Sequence, residues 1–375
     1  MTAPPAVTPR EKARRAFVSA TGWAGADETP VAGDASTRSY VRLCLDGATA
    51  ILMDAPPGPD GPPVADGLSY SALVHLAEDM RPFAALAGYL RGRGISAPAI
   101  LARDLAQGFL LIEDLGDAVF GAEIDAGRLA EHDLYASAVD VLAQLHRDPA
   151  PGALPCGDDG PHHHVPAFDD RAMLTEASLL IDWYPRLGSV PHADDMARTA
   201  FFDAWRDVIS AARAEDARLV LRDYHSPNLM WLPDREGLGR VGVSDFQDAL
   251  AGPAAYDVAS LLQDARRTVS RETEEALLTR YVETRTRDEA GFDASGFRAA
   301  YAVTGAQRNT KIIGIFARLC LRDGKPRYLA HIPRLAAYLA RDLAHPALGP
   351  VAAWFAQHLP LESLARPVPP PGGSA

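Results

Sequence analysis

The first hundred or so residues carry mostly short-period patterns. Val41, Leu43 and Leu45 alternate with Arg42 and Cys44, which predicts a half-buried strand over 40–45. Asp46-Gly47 is a two-residue hairpin signal, and 48–53 is predicted as the returning strand. A short helix is expected over 11–22, with Ala13, Phe17 and Val18 on one side. Phe83, Leu86, Ala87 and Leu90 recur at helical spacing and predict a helix over 80–93, stopped by Gly94. A strand over 98–104 and a second within 108–115 follow. The run Phe109-Leu110-Leu111-Ile112 is wholly apolar and suits a buried central strand. The Pro-, Gly- and Asp-rich stretch 56–67 reads as a loop.

After Gly116 the pattern turns helical, with helices predicted over 129–146, 172–184 and 193–214 and a loop over 149–166. A compact block of short strands lies at 219–246, and helices continue to about 359. Residues 363–375 are rich in Pro, Gly and Ser and are expected to be disordered. Strands first and helices afterwards imply an α+β fold with two segregated lobes. We expect a β-rich N-lobe over 1–115 that binds a nucleotide. A larger helical C-lobe over 116–360 would carry the catalytic loop, and 361–375 would form a disordered tail. The crevice between the lobes is the default ligand site.

The chemistry concentrates in Leu221-Arg222-Asp223-Tyr224-His225-Ser226-Pro227-Asn228, followed by Val241-Gly242-Val243-Ser244-Asp245-Phe246. Phosphoryl transfer needs one carboxylate to orient and deprotonate the attacking hydroxyl. It also needs a second carboxylate and a neutral oxygen ligand to hold magnesium on the phosphates. Arg222-Asp223 with Asn228 five residues on supplies the first pattern, and an apolar strand ending in Asp245-Phe246 supplies the second. The two together are much rarer than either alone. The bland alternative is a turn cap at Asp223 and a strand end at Asp245.

This block resembles the aminoglycoside phosphotransferase and choline kinase superfamily, which has the protein-kinase-like two-lobed fold. There the loop usually reads H-G-D-x-x-x-x-N and the second site I-D-F/W; here Leu221-Arg222 replaces His-Gly. The resemblance implies ATP and Mg2+ as cofactors, Asp223 as catalytic base, and Asn228 and Asp245 as magnesium ligands. Gly33-Asp34-Ala35-Ser36-Thr37-Arg38-Ser39-Tyr40-Val41-Arg42 looks like the nucleotide loop of one branch, the bacterial cell-wall-recycling sugar kinases. Met53–Pro57, Gly108–Gly116, Ile181–Tyr184 and Gln307–Arg318 are similar to that branch too. Its members phosphorylate the anomeric hydroxyl of N-acetylmuramate and N-acetylglucosamine, so the likeness implies a small amino-sugar substrate.

Physically, the 33–38 turn offers backbone N–H groups, the Ser36 and Thr37 hydroxyls and the Arg38 guanidinium to phosphate oxygens. With Gly33 as its only glycine it is also an ordinary polar turn. Glu113 and Leu115 sit where the lobes should join; in kinase-like folds the backbone there binds the adenine edge. The third strand carries no lysine, since it reads Ala50-Ile51-Leu52-Met53-Asp54. Arg38 or Arg42 is expected to supply the missing cation, with Glu78 or Asp79 as the partner of Arg42.

For the acceptor, Glu176, Asp182, Trp183 and Tyr184 offer carboxylates for hydroxyls and aromatic faces for a pyranose. Arg308 and Lys311, three apart on one helical face, form a cationic pair suited to the lactyl carboxylate of a muramic sugar. The competing reading makes these aromatics core residues and these cations solvated ones. The adjacent His162, His163 and His164 lack a matching ligand cluster and read as a solvated loop rather than a zinc site.

The chain of 375 residues has 47% hydrophobic residues and a formal net charge of −12, which argues against phosphate-backbone binding to nucleic acid. Three scattered cysteines suit a reducing compartment. No stretch nears the roughly 18 apolar residues a membrane span needs. A cytoplasmic monomer without a membrane or nucleic-acid partner is expected. Two other readings stay open: an aminoglycoside or amino-alcohol kinase, and a nucleotide-binding pseudokinase favoured by the absent lysine.

Overall fold

The computed structural model describes residues 8–31, 38–58, 61–157, 160–188, 190–213 and 217–366. Five strands form one antiparallel sheet in the order Asp27–Val31, Ser39–Leu45, Ala48–Asp54, Phe109–Glu113, Ile100–Asp104. Its two faces have separate uses, because successive side chains point to opposite sides. Leu43, Leu52 and Leu111 pack with Val18 of the first helix, Pro9–Ala20. Tyr40, Arg42, Ile51, Met53 and Ile112 form the roof of a large cavity. The Asp46-Gly47 turn has φ of 51° and 82°, as a hairpin of primed type requires.

Helix Arg81–Gly92 buries Phe83, Leu86 and Leu90 in the main core. From Phe120 onward the structure is mainly helical. Helix Ala294–Asp323, 30 residues long, lies against helix Asp170–Trp183. Gly314 permits that approach: a Cβ there would stand 2.2 Å from the Leu179 backbone carbon. Between these layers two short antiparallel pairs carry the catalytic block. Arg218–Val220 pairs with Leu250–Gly252, and Leu229–Trp231 pairs with Val241–Val243.

Several expectations need correction. Asp27–Val31 was not foreseen; it is a polar, exposed edge strand held by pairing with Ser39–Leu45. The 56–67 loop contains Pro63–Ala65, which pairs with Leu68–Ser69 across a second Asp-Gly turn, Asp66-Gly67. The 149–166 loop contains the pair Ala153–Pro155 and His162–His164. The three histidines are therefore strand residues, and His163 is half-buried with Nε2 out of contact with any hydrogen-bond partner. The tail does not begin at 361. Leu361–Leu364 is helical, Leu364 is fully buried, and the Tyr184 hydroxyl donates to the Ser363 carbonyl at 3.2 Å. Residues 367–375 lie outside the described residues.

Segment 70–77 belongs by sequence to the first lobe but packs on the second. Tyr70, Leu73 and Val74 cluster with Leu179. Ala77 N donates to Asp248 Oδ1 at 2.6 Å, just past the Asp245-Phe246 pair. Among the described residues no helix is long and apolar enough to cross a membrane. Cys44, Cys156 and Cys320 are free thiols.

Candidate active site

A cavity of about 710 Å³ lies under the sheet and above the catalytic block. It is lined by Asp223, Asn228 and Asp245, so the structure brings the two sequence motifs together. Each motif contains a backbone in the left-handed region: Arg222 has φ 67° and Asp245 φ 56°. Such conformations are unfavourable for residues with a Cβ and persist where surroundings fix them. At Arg222 the surroundings are explicit. Asp257, fully buried in helix Ala255–Leu262, accepts from Leu221 N at 2.6 Å and Arg222 N at 2.9 Å, and Ser260 Oγ donates to Arg222 O at 3.0 Å.

The Asp223 carboxylate accepts no hydrogen bond among the described residues and opens to the cavity, free to receive a substrate proton. Burial works to raise its pKa. The Lys311 ammonium, with His225, Arg222 and Arg308, outweighs burial, and the net shift is downward. The group is ionised. Asn228 Nδ2 donates to the Asp223 carbonyl at 2.9 Å, which leaves its Oδ1 for a cation. Asp245 behaves in the opposite way: burial and the charge of Asp223 push its carboxyl up to about 6. A cavity-facing carboxylate and an amide oxygen, with the carboxylate destabilised by a second anion, form a hard-oxygen donor set that fits Mg2+.

Arg38 reaches the same spot. Its Nη1 donates to Asp245 Oδ1 at 3.3 Å, and Nη2 lies 3.9 Å from Asp248 Oδ2. Glu78 accepts from Ser69 and Ser71 and Asp79 pairs with Arg81, so neither is the partner of Arg42 that was expected. Arg42 lines the cavity at its other end, where it bonds Asp114 at 3.1 Å and Asp117 at 2.8 Å, straddling the junction between lobes. Its charge is committed there, whereas Arg38 stands beside Asp245. Gly33, Ser36 and Thr37 lie outside the described residues.

At the junction, the Glu113 side chain serves the protein: it accepts from Ala99 N at 3.1 Å and from Arg91 at 3.2 Å, and pairs with Arg235. Leu115 makes no backbone hydrogen bond among the described residues and faces the cavity, as an adenine-edge contact would require.

Residues 27–292 match the family model described as "Phosphotransferase enzyme family". The chain belongs to this phosphotransferase family. It is 41% identical over 364 residues to the N-acetylmuramate/N-acetylglucosamine kinase of Caulobacter vibrioides, covering 94% of this chain and 98% of that protein. It is 35% identical to the enzyme of the same name from Pseudomonas aeruginosa, over 87% of each. In fold the phosphotransferase is similar to the choline kinase LicA of Streptococcus pneumoniae, with a TM-score of 0.54 at 14% identity over 88% of this chain and 100% of that one. It is also similar to the ADP-bound aminoglycoside phosphotransferase APH(2'')-Ib, with a TM-score of 0.52 at 13% identity over 85% and 95%.

The acceptor candidates divide. Arg308 and Lys311 of the phosphotransferase line the cavity beside Asp223, both buried rather than solvated. Glu176, Asp182, Trp183 and Tyr184 do not line it. Glu176 is fully buried beneath it and accepts from Arg222, from Lys311 Nζ at 2.9 Å and from Gln307 at 3.2 Å. Asp182 pairs with Arg198 at 2.6 Å, Trp183 lies under Arg186, and Tyr184 is a core residue. Asp182, Trp183 and Tyr184 sit at successive positions, about 100° apart around the helix and its end, so these three cannot share one face. Sequence reading missed Asp257, Ser260 and His225. An acid inside the apolar run 254–262 was the available signal for Asp257, because an unpaired buried carboxylate is costly.

Proposed function

We propose that this phosphotransferase uses ATP and Mg2+ to phosphorylate the anomeric hydroxyl of N-acetylmuramate and N-acetylglucosamine, giving sugar 1-phosphates in peptidoglycan recycling. The observation that carries the reading is the ionised, unbonded Asp223 carboxylate sharing one cavity with Asn228, Asp245 and two acceptor-side cations. The names of the relatives and the motif-level likeness support the choice of sugar and hydroxyl.

Asp223 accepts the hydroxyl proton as the oxygen attacks the γ-phosphorus in line, while the bond to the β,γ-bridging oxygen breaks and ADP leaves. Asn228 and Asp245 would hold Mg2+, which neutralises charge on the phosphates. Arg38 adds a fixed cation at the same oxygens. Leu115 presents backbone groups to the adenine. Arg308 and Lys311 face the acceptor and favour an anionic substituent, so a polycationic aminoglycoside is the poorer fit. The proposed reaction calls on no second chain, so a monomer is proposed, and ATP supply favours the cytoplasm as its place. No surface for nucleic acid or membrane is invoked.

ATP consumption should be measured over N-acetylmuramate, N-acetylglucosamine, glucosamine, kanamycin and choline, with Asp223→Asn as control. Turnover with the N-acetyl sugars is expected, lost in the variant, with phosphorus NMR locating the product phosphate at the anomeric carbon. Turnover with kanamycin or choline alone would discard the substrate assignment. ATP binding without any turnover would favour a pseudokinase.

A further inference from the structure

We propose that Arg222 is a positioning residue for Asp223, holding the turn that aims the base through a buried clamp on Glu176 and the Val74 carbonyl. The inference rests on the reading of Asp223 as proton acceptor. Position 222 has φ 67°, a conformation glycine adopts freely and an arginine does not. Backbone economy alone would therefore favour glycine here. The chain instead places a guanidinium that is 2% exposed. Its Nη1 donates to Val74 O at 3.0 Å, its Nη2 pairs with Glu176, and the group lies 5.5 Å from the Phe168 ring.

A buried charge is tolerable only when paired and hydrogen-bonded. Glu176 meets that need from helix Asp170–Trp183, and its carboxylate also binds Lys311 and Gln307 of helix Ala294–Asp323. Lys311 is tied in turn to Tyr256 OH at 3.0 Å. The residue directly before the base is thereby fastened to two helices and to the segment after Tyr70–Leu73. Asp257 and Ser260 fix the backbone of the turn, and the guanidinium fixes its side-chain end. Without that end the turn would sample other conformations, and displacement of a reacting carboxylate by an ångström is costly in rate.

The test compares Arg222→Gly and Arg222→Lys with the parent in the full chain, measuring kcat, KM for ATP, ATP affinity by calorimetry and thermal midpoint. Arg222→Gly is expected to fold and bind ATP within about twofold of the parent, with kcat lower by roughly 10–100-fold. Lysine can reach Glu176 but lacks the fork that also engages Val74, so Arg222→Lys should fall between. A folded Arg222→Gly with parental kcat overturns the proposal. Should the glycine variant not fold, parental kcat in Arg222→Lys overturns it equally. Asp223→Asn separates the two claims: substantial turnover there removes the base assignment, whereas an inactive Asp223→Asn beside a fully active Arg222→Gly removes only the clamp's role.

Discussion

Phe83 and Phe246 stack, with ring centroids 4.7 Å apart and planes inclined by 23°. Phe83 belongs to helix Arg81–Gly92, and Phe246 directly follows Asp245. The orientation of the carboxylate proposed to hold magnesium is therefore tied to packing of a first-lobe helix. Phe83→Ala should cost about 3–5 kcal/mol, as truncation of a buried phenylalanine does. It should also raise the magnesium concentration needed for half-maximal rate. Urea unfolding and a magnesium titration of turnover read the two effects. Lower stability with an unchanged magnesium requirement would break the link.

Gly314→Ala tests the contact between the two long helices. The added Cβ would meet backbone atoms of Leu179 and Leu180 at 2.2–2.5 Å, and backbone cannot swing aside as a side-chain tip can. Helix propensity alone would favour alanine by about 1 kcal/mol. Separating the helices should outweigh that, with a net loss of about 1–3 kcal/mol or more by overpacking. Denaturant unfolding measures it; an alanine variant more stable than the parent would show that the helices part cheaply.

The catalytic block and four of the five sheet strands were legible because their signals are local. Alternation in 40–45, the Asp46-Gly47 turn and the run 109–112 each fix an element from neighbouring residues. Arg222-Asp223, Asn228 and Asp245 were legible because spacing along a tight loop constrains where the side chains point. The acceptor side was not, since it depends on which helix face meets which neighbour. Glu176 reads as a substrate carboxylate until the paired burial of Arg222 and Lys311 against it is visible. Arg42 and Arg38 are equivalent in sequence. Only the fold puts one at the lobe junction and the other beside Asp245.

His146 supplies a pH dependence. It is fully buried at the end of helix Glu131–Leu145, with Nδ1 2.8 Å from the Tyr281 hydroxyl and Nε2 3.6 Å from Asp257. Burial lowers its pKa despite the Asp257 charge, so the folded state keeps it neutral. The unfolded chain binds a proton there below about pH 6.5, so the unfolded state holds more protons and stability falls as pH drops below that value. The loss should approach about 1.4 kcal/mol per pH unit until the folded-state pKa is reached. His146→Gln should flatten the plot of unfolding free energy between pH 6.5 and 5. An unchanged slope would assign the acid sensitivity to other groups, such as His225, which is lowered to about 4 mainly by burial.

Arg308 and Lys311 differ in what remains for a substrate. Lys311 Nζ is held by Glu176 at 2.9 Å and by Tyr256 OH at 3.0 Å, so much of its charge is already answered. Arg308 contacts only a carbonyl, Gln263 O at 3.4 Å, among its described hydrogen bonds, and its guanidinium lines the cavity. On the proposed substrate reading, Arg308 is the group that meets the lactyl carboxylate, an anion N-acetylglucosamine lacks. A charge-assisted hydrogen bond contributes about 1.5–3 kcal/mol, so Arg308→Ala should raise KM for N-acetylmuramate roughly tenfold or more. KM for N-acetylglucosamine should stay within about twofold, because no partner on that sugar is lost. Steady-state kinetics with both sugars give the comparison. Equal increases would mean that Arg308 shapes the cavity for any acceptor and does not read the carboxylate.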